Sequence, residues 1–268
     1  MNAPIGLTVL GRGALSAPLF NHGAPLGRIR LVEHDAQAVL IDLPPAERVA
    51  AVVPALAAGQ FVLCPPPVAF TPADLAAISD ARIAGGGVLL PAGELAHCEA
   101  GRRGLAAIAA PTFGPLRTLY LAIRQPRGSG GDVLADLLPE ALDTVLALLP
   151  GPFSTFRVNA GALFVEARDT AVILLRSAGD VVVTLELSRC LPPTLPAPGL
   201  GDVEIDAMGA AQAVRIVPNA SALRIYRDDG LSAAPWLDAP VLAMLRALEA
   251  AGVLALSQAI AAQALVTS

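Results

Sequence analysis

Three carboxylates, Asp136, Glu140 and Asp143, follow one another at the spacing i, i+4, i+7. A single helix would bring all three to one face. Carboxylates crowded in this way repel one another's charge, which raises a pKa and suits one of them to proton transfer near neutral pH. The same acids can equally serve to cap a helix, and the spacing leaves both readings open. A second candidate is the turn Gly11-Arg12-Gly13-Ala14-Leu15-Ser16, which follows the apolar stretch Ile5–Leu10. It approaches G-x-G-x-x-G, with Ser16 at the third glycine. In a dinucleotide turn the first Gly permits the bend, the second admits pyrophosphate to the backbone, and the next helix favours its negative charge. Here Pro18 and the Gly- and Pro-bearing stretch Asn21–Gly27 interrupt that helix, so a structural turn and a cofactor loop both stay open. His97 and Cys98 are adjacent and point about 100° apart on a helix. They read as an ordinary helix face, and no metal-ligand spacing is found.

Composition excludes several chemistries. All 18 basic residues are arginine, so Schiff-base catalysis and a P-loop lysine are absent from this chain. A net charge of −5 argues against a broad nucleic-acid surface. Cys64, Cys98 and Cys190 leave one thiol unpaired, which fits a reducing, cytoplasmic compartment. No apolar run reaches the length of a membrane span, and the first residues lack a signal-peptide pattern. With 54% hydrophobic and 15% charged residues, the chain predicts well-buried elements or an oligomeric interface.

The elements that must position these residues alternate in the first part of the chain. Ile5–Leu10, Arg28–Glu33, Ala38–Leu43, Phe61–Cys64 and Gly85–Leu90 read as strands. Glu47–Ala58 reads as a helix, with Val49, Val52, Val53 and Leu56 on one face, Gly59 as its stop and Pro54 as a potential kink. Thr71 is a predicted cap with Pro72 and Asp74 in the first turn, and Glu94–Ala109 is a further helix. Strand–helix alternation predicts a parallel α/β layer. The chain between Gly13 and Ala38 is too short for the extra helix and strand of a full dinucleotide unit. Glu33 and Asp35 are read as a solvated turn, not as the ribose-binding acid. From Phe153 onward the pattern is that of a large antiparallel sheet: Phe153–Ala160, Leu163–Ala167, Ala171–Ser177, Val181–Leu187, Asp202–Met208, Ala213–Val217 and Ala222–Tyr226, with a hairpin turn at Gly179-Asp180. Ala171–Leu175 and Val181–Val183 are apolar on both faces, which predicts pairing with a second copy. Pro192–Pro198 is a rigid loop, and helices are expected at Pro240–Ala250 and Ala255–Val266.

The stretch from Ala38 to Pro67, AVLIDLPPAERVAAVVPALAAGQFVLCPPP, resembles the A-V-V-I-A-T-P-P…A-G-K-H-V-L-C-E-K-P stretch of the glucose–fructose oxidoreductase / inositol dehydrogenase / MocA family. Phe113-Gly114-Pro115-Leu116 resembles that family's entry into its second domain. Gly130–Asp143 resembles G-G-G-x-L-x-D-x-G-x-H-x-x-D. The resemblance implies a truncated Rossmann-like parallel-sheet domain (1–112, α/β) and a domain with a large open, mainly antiparallel sheet (113–268, α+β). It implies NAD or NADP held near Gly11, Gly13 and Pro45, and a site at Glu140, Asp143 and Asp136. It also marks departures: Pro65 and Pro66 stand at the family's Glu and catalytic Lys, Arg48 and Glu140 at two His positions, and Leu138 at a Gly. The expectation is a catalytically degenerate homodimeric oxidoreductase relative, a binding or partner subunit with a small-molecule ligand or none, and no nucleic acid or membrane. One alternative is an active NAD(P)-dependent enzyme on a sugar-like or cyclic alcohol that uses Glu140, Asp143 and Asp136. Another is a cofactor-independent lyase or isomerase.

Overall fold

A computed structural model describes residues 4–13, 16–21, 29–69, 71–93, 95, 99–149, 152–194, 201–217, 222–227 and 230–234. His97, Cys98, the greater part of the Pro192–Pro198 loop, Trp236 and the two C-terminal helices expected from the sequence lie outside them. The described residues form two compact units that divide between positions 97 and 98. No helix among the described residues is long and apolar enough to cross a membrane.

The first unit is built on a five-stranded parallel sheet: β1 (Ile5–Leu10), β2 (Ile29–Leu31), β3 (Ala38–Ile41), β4 (Phe61–Cys64) and β5 (Val88–Pro91), in the order β2-β1-β3-β4-β5. Its helices are α1 (Ala17–Asn21), α2 (Pro45–Ala57) and α3 (Pro72–Gly85). Strands β3 and β4 are buried at every residue, as a sheet covered on both faces requires. Alternate residues feed two cores. One gathers Leu7, Leu19, Leu40, Phe61 and Leu63, the other Val39, Ile41, Val52, Leu56, Val62 and Cys64. Helix α2 starts at Pro45, keeps Pro54 on its exposed side, and is followed by Gly59 at φ +73. Thr71 caps α3 through a reciprocal pair with Asp74, as its sequence predicts.

The connection from β2 to β3 is very short. Parallel strands are normally joined by a dozen or more residues. Here residues 32–37 cross β1 directly. The Val32 N–H donates to the Leu7 carbonyl and the Gln37 N–H to the Gly6 carbonyl, both at 3.0 Å. The Thr8 hydroxyl donates to the Val32 carbonyl at 2.8 Å. Leu7 is therefore opposite both Leu31, the last residue of β2, and Ala38, the first of β3. Of the expected strand Arg28–Glu33, Arg28 lies outside the described residues, and the strand ends at Leu31 because Val32 already leaves to cross.

The second unit carries an eight-stranded sheet: β6 (Leu116–Pro126), β7 (Phe153–Gly161), β8 (Thr170–Ser177), β9 (Val182–Leu191), β10 (Asp202–Gly209), β11 (Ala213–Val217), β12 (Ala222–Arg227) and β13 (Gly230–Ala234), ordered β13-β12-β11-β10-β6-β9-β8-β7. Only β6 and β9 run parallel. Helices α4 (Glu99–Ala109), α5 (Val133–Asp136) and α6 (Leu138–Leu148) belong to this unit. One sheet face buries Leu119, Leu121, Ile123, Ile173, Leu185 and Val203. Gly179-Asp180 turns the β8–β9 hairpin, with Asp180 at φ +61. One expected strand is absent: Leu163–Ala167 is a loop. The Asp169 carboxylate accepts the N–H groups of Leu163, Phe164 and Val165 at 2.8, 2.6 and 3.2 Å, so these donors are taken before a ladder can form.

Candidate functional site

In a sheet of order β2-β1-β3-β4-β5 the chain winds one way from β1 to β2 and the other way from β3 onward. Ligands of such sheets bind beyond the carboxyl ends of the strands at this switch point, between β1 and β3. Gly11, Gly13 and Ser16 follow β1 there, and Asp42 follows β3. The Asp42 N–H extends the ladder by donating to the Leu10 carbonyl at 2.8 Å. Its side chain, 9% exposed, turns into the glycine turn and accepts the Ser16 N–H at 2.7 Å. Gly11 has φ +89, a conformation other residues rarely adopt, and a Cβ there would lie 2.3 Å from the Asp42 carbonyl oxygen. A Cβ on Gly13 would lie 2.3 Å from Asp42 Oδ1. Both glycines of the motif are thus accounted for by contacts inside the chain. Sequence reading passed over Asp42. Its one signal is a carboxylate closing an otherwise apolar strand, A-V-L-I-D.

Pro45, the third expected cofactor residue, opens α2 and is exposed. One turn on, Arg48 is buried and joins two loops at this edge of the sheet. Its Nε donates to the Leu43 carbonyl, and its Nη1 to the carbonyls of Pro65 and Pro67, all at 3.0 Å. Burial draws the guanidinium pKa down. The Cys64 thiol is pushed up to about 12, chiefly by burial. At neutral pH it is a thiol in the core and supplies no nucleophile. Glu33 and Asp35 are exposed on the crossing loop. Because β2 ends opposite Leu7, they leave the sheet three residues, about 10 Å, short of the end of β1. An open groove of about 450 Å³ lies along this edge, lined by Leu7, Thr8, Val9, Phe20, Leu31, Val32 and Glu33.

The three carboxylates in the second unit are split by a helix break at Leu137. Asp136 ends α5, whereas Glu140 and Asp143 lie on α6. Asp136 Oδ2 accepts from Arg189 Nη2 at 2.9 Å and from the Gly131 N–H at 3.2 Å. Arg189 is 5% exposed. Its other donors go to the Gly131 carbonyl and to Gln125 Oε1. The guanidinium lies against Gly130, where a Cβ would come within 2.6 Å of it. Asp136 and Arg189 therefore fasten the Gly130-Gly131 loop to β6 and β9. Asp132 completes the tether by accepting the Leu134 N–H at 2.8 Å and pairing with Arg168. Glu140 is 5% exposed and Asp143 half-buried. Among the described residues no group of three His, Cys, Asp or Glu side chains is placed to hold a metal ion.

A polar network on the outer face of the second sheet also escaped the sequence. Arg124 donates to both oxygens of Glu186, at 2.7 and 3.1 Å, and to the Tyr120 hydroxyl at 2.8 Å, while Tyr120 itself donates to Glu186. Arg215 grips Asp206 with two bonds of 2.6 and 2.7 Å. The Arg124 bond holds the Glu186 carboxyl below its usual range. Burial, then the bond to Glu186, push the Tyr120 hydroxyl up to about 12. The register of β10, β6 and β9 brings these residues together across strands far apart in sequence.

No protein-family model and no curated protein sequence matches this chain. Solved structures do. An oxidoreductase from Agrobacterium radiobacter, solved in complex with NAD+, L-tartaric acid and magnesium, has a TM-score of 0.77 at 14% identity, over 96% of this chain and 90% of its own. The UDP-N-acetylglucosamine 3-dehydrogenase GnnA from Acidithiobacillus ferrooxidans gives 0.72 at 19% identity, over 99% and 97%. The WlbA dehydrogenase from Bordetella pertussis, in complex with NADH and UDP-GlcNAcA, gives 0.67 at 16%, over 92% and 88%. With a parallel five-stranded sheet followed by a large, mainly antiparallel one, the chain has the fold of these two-domain oxidoreductases, the fold its resemblance to the glucose–fructose oxidoreductase / inositol dehydrogenase / MocA family implies.

Proposed function

We propose that this chain is a member of that family that has left nicotinamide-dependent dehydrogenation and works as a binding or partner subunit in the cytoplasm. The observation that carries this reading is the direct crossing of residues 32–37 over β1. A dinucleotide site needs an acid at the carboxyl end of its second strand to hold the ribose. The crossing takes Glu33 and Asp35 away well before that edge. Two departures in the second half of the mechanism support it: the chain has no lysine, and Glu140 stands at the family's His. Positioned acid–base groups contribute about 10²–10⁴-fold each, so losing both removes ordinary alcohol oxidation. The expected result of titrating NAD(H) and NADP(H) to millimolar concentration is no rise in melting temperature and no change in nicotinamide fluorescence. A ligand of the folded state stabilises by RT ln(1 + [L]/Kd), so a clear shift would defeat the reading.

A second reading keeps the chain an NAD(P)-dependent oxidoreductase on a sugar-like or cyclic alcohol, with Glu140, Asp143 and Asp136 as its proton-transfer groups. It is favoured by Gly11 and Gly13 at the end of β1, by the groove beside Glu33, and by neighbours solved with NAD+ or NADH. The same titration separates the two.

The outer face of the second sheet fits a homodimer. Val172 and Leu174 stand two residues apart on β8, Val182 lies diagonally across from Leu174 on β9, and each is more than 40% exposed. Sedimentation at micromolar protein is expected to give a dimer, and a monomer at all concentrations would reject the pairing.

A further inference from the structure

We infer that Asp42 is a built-in occupant of the pyrophosphate position: its carboxylate closes the glycine turn to dinucleotides and other phosphate ligands. The second glycine of such a turn is small so that a ligand phosphate can reach the backbone. Here the space over Gly13 is filled, with Asp42 Oδ1, Cγ and Oδ2 at 2.3, 2.7 and 2.8 Å from where a Cβ would stand. The adjacent donor is also taken, since the Ser16 N–H is bonded to Asp42 Oδ2. The anion is held from two directions. The Asp42 backbone is fixed by the ladder bond to Leu10 and its side chain by Ser16, which is itself fully buried. A phosphate would have to displace a carboxylate of its own sign, and like charges at such range repel strongly away from bulk water. In the family stretch that Ala38–Pro67 resembles, the small residue Ala stands where this chain has Asp42.

The inference accounts for the proposed loss of cofactor yet is tested without any nicotinamide. Inorganic pyrophosphate is titrated into the full-length wild type, Asp42→Ala and Asp42→Ser, with binding followed by calorimetry and by melting temperature. Ser is short but keeps an acceptor for the Ser16 N–H, so it serves should the Ala variant fail to fold. The expected result is no response in the wild type and, in both variants, pyrophosphate binding at least about tenfold tighter, with the gain lost at high salt. Folded variants that bind pyrophosphate no better than the wild type overturn the inference. Wild type that binds it as well as the variants does the same. Should the variants gain nothing while wild type also ignores NAD(H), the Asp42 inference falls alone and the proposed function stands. If wild type oxidises an alcohol with NAD+, a dinucleotide reaches its site past Asp42, and the proposed function and the inference fall together.

Discussion

Gly13→Ala is expected to cost about 2–3 kcal/mol of unfolding free energy in the wild type and less than half of that in an Asp42→Ala background. Gly13 is not in the left-handed region, so its need for glycine comes from its neighbour alone. The new methyl group would meet the Asp42 carboxylate. Asp42 has little room to yield: its side chain is short, buried, and bonded to the Ser16 N–H at 2.7 Å. Removing the carboxylate frees the space, so the two changes should be strongly coupled. Gly11→Ala is the control. Its conflict is with the Asp42 backbone oxygen and with its own φ of +89, neither of which Asp42→Ala removes. That variant should lose about 3 kcal/mol in either background. Urea unfolding of the four-membered cycle decides the matter. Additive effects at Gly13 and Asp42 would mean that the carboxylate does not fill the turn.

Asp136→Asn is expected to act on stability and not on chemistry, losing about 2 kcal/mol. Arg189 is almost fully buried, and Asp136 is its counter-charge. Asn can still accept one bond through its amide oxygen, but it carries no charge to balance the guanidinium, whose other acceptors, the Gly131 carbonyl and Gln125, are neutral. Replacing both members, Asp136→Ala with Arg189→Met, should cost clearly less than the sum of the single changes, because no charge is then buried alone. A proton-transfer role for Asp136 predicts the opposite pattern: intact stability with an activity that vanishes. Thermal and urea unfolding of the three variants, alongside any turnover found for the wild type, distinguish the two.

The sequence was most legible where the deciding interactions are local. The spacing of Val49, Val52, Val53 and Leu56 gave α2, the Thr71–Asp74 pair gave the start of α3, and the apolar FVLC gave a strand buried on both faces. Gly179-Asp180 gave its hairpin. What it could not give is what distant residues decide. Leu163–Ala167 has strand composition, but its donors are claimed by Asp169. The i, i+4, i+7 carboxylates presuppose one helix, and Leu137 divides it into two. Asp136 looked like an acid in a motif until Arg189, more than fifty residues away in sequence, showed which charge it balances. Asp42 and Gly13 lie far apart along the chain and meet only because β3 lies beside β1.

The crossing of residues 32–37 has a further consequence for solubility. Removing a strand and its helix from a parallel sheet would ordinarily expose a new edge, with a row of free backbone groups ready to recruit another chain. Here the strand next in line, β2, is only Ile29–Leu31, and its centre is an exposed Arg30. A stub of three residues with a charge in the middle gives a foreign strand little to pair with. The short crossing thus leaves the sheet with a blunt, charged edge, which protects it against strand-by-strand aggregation.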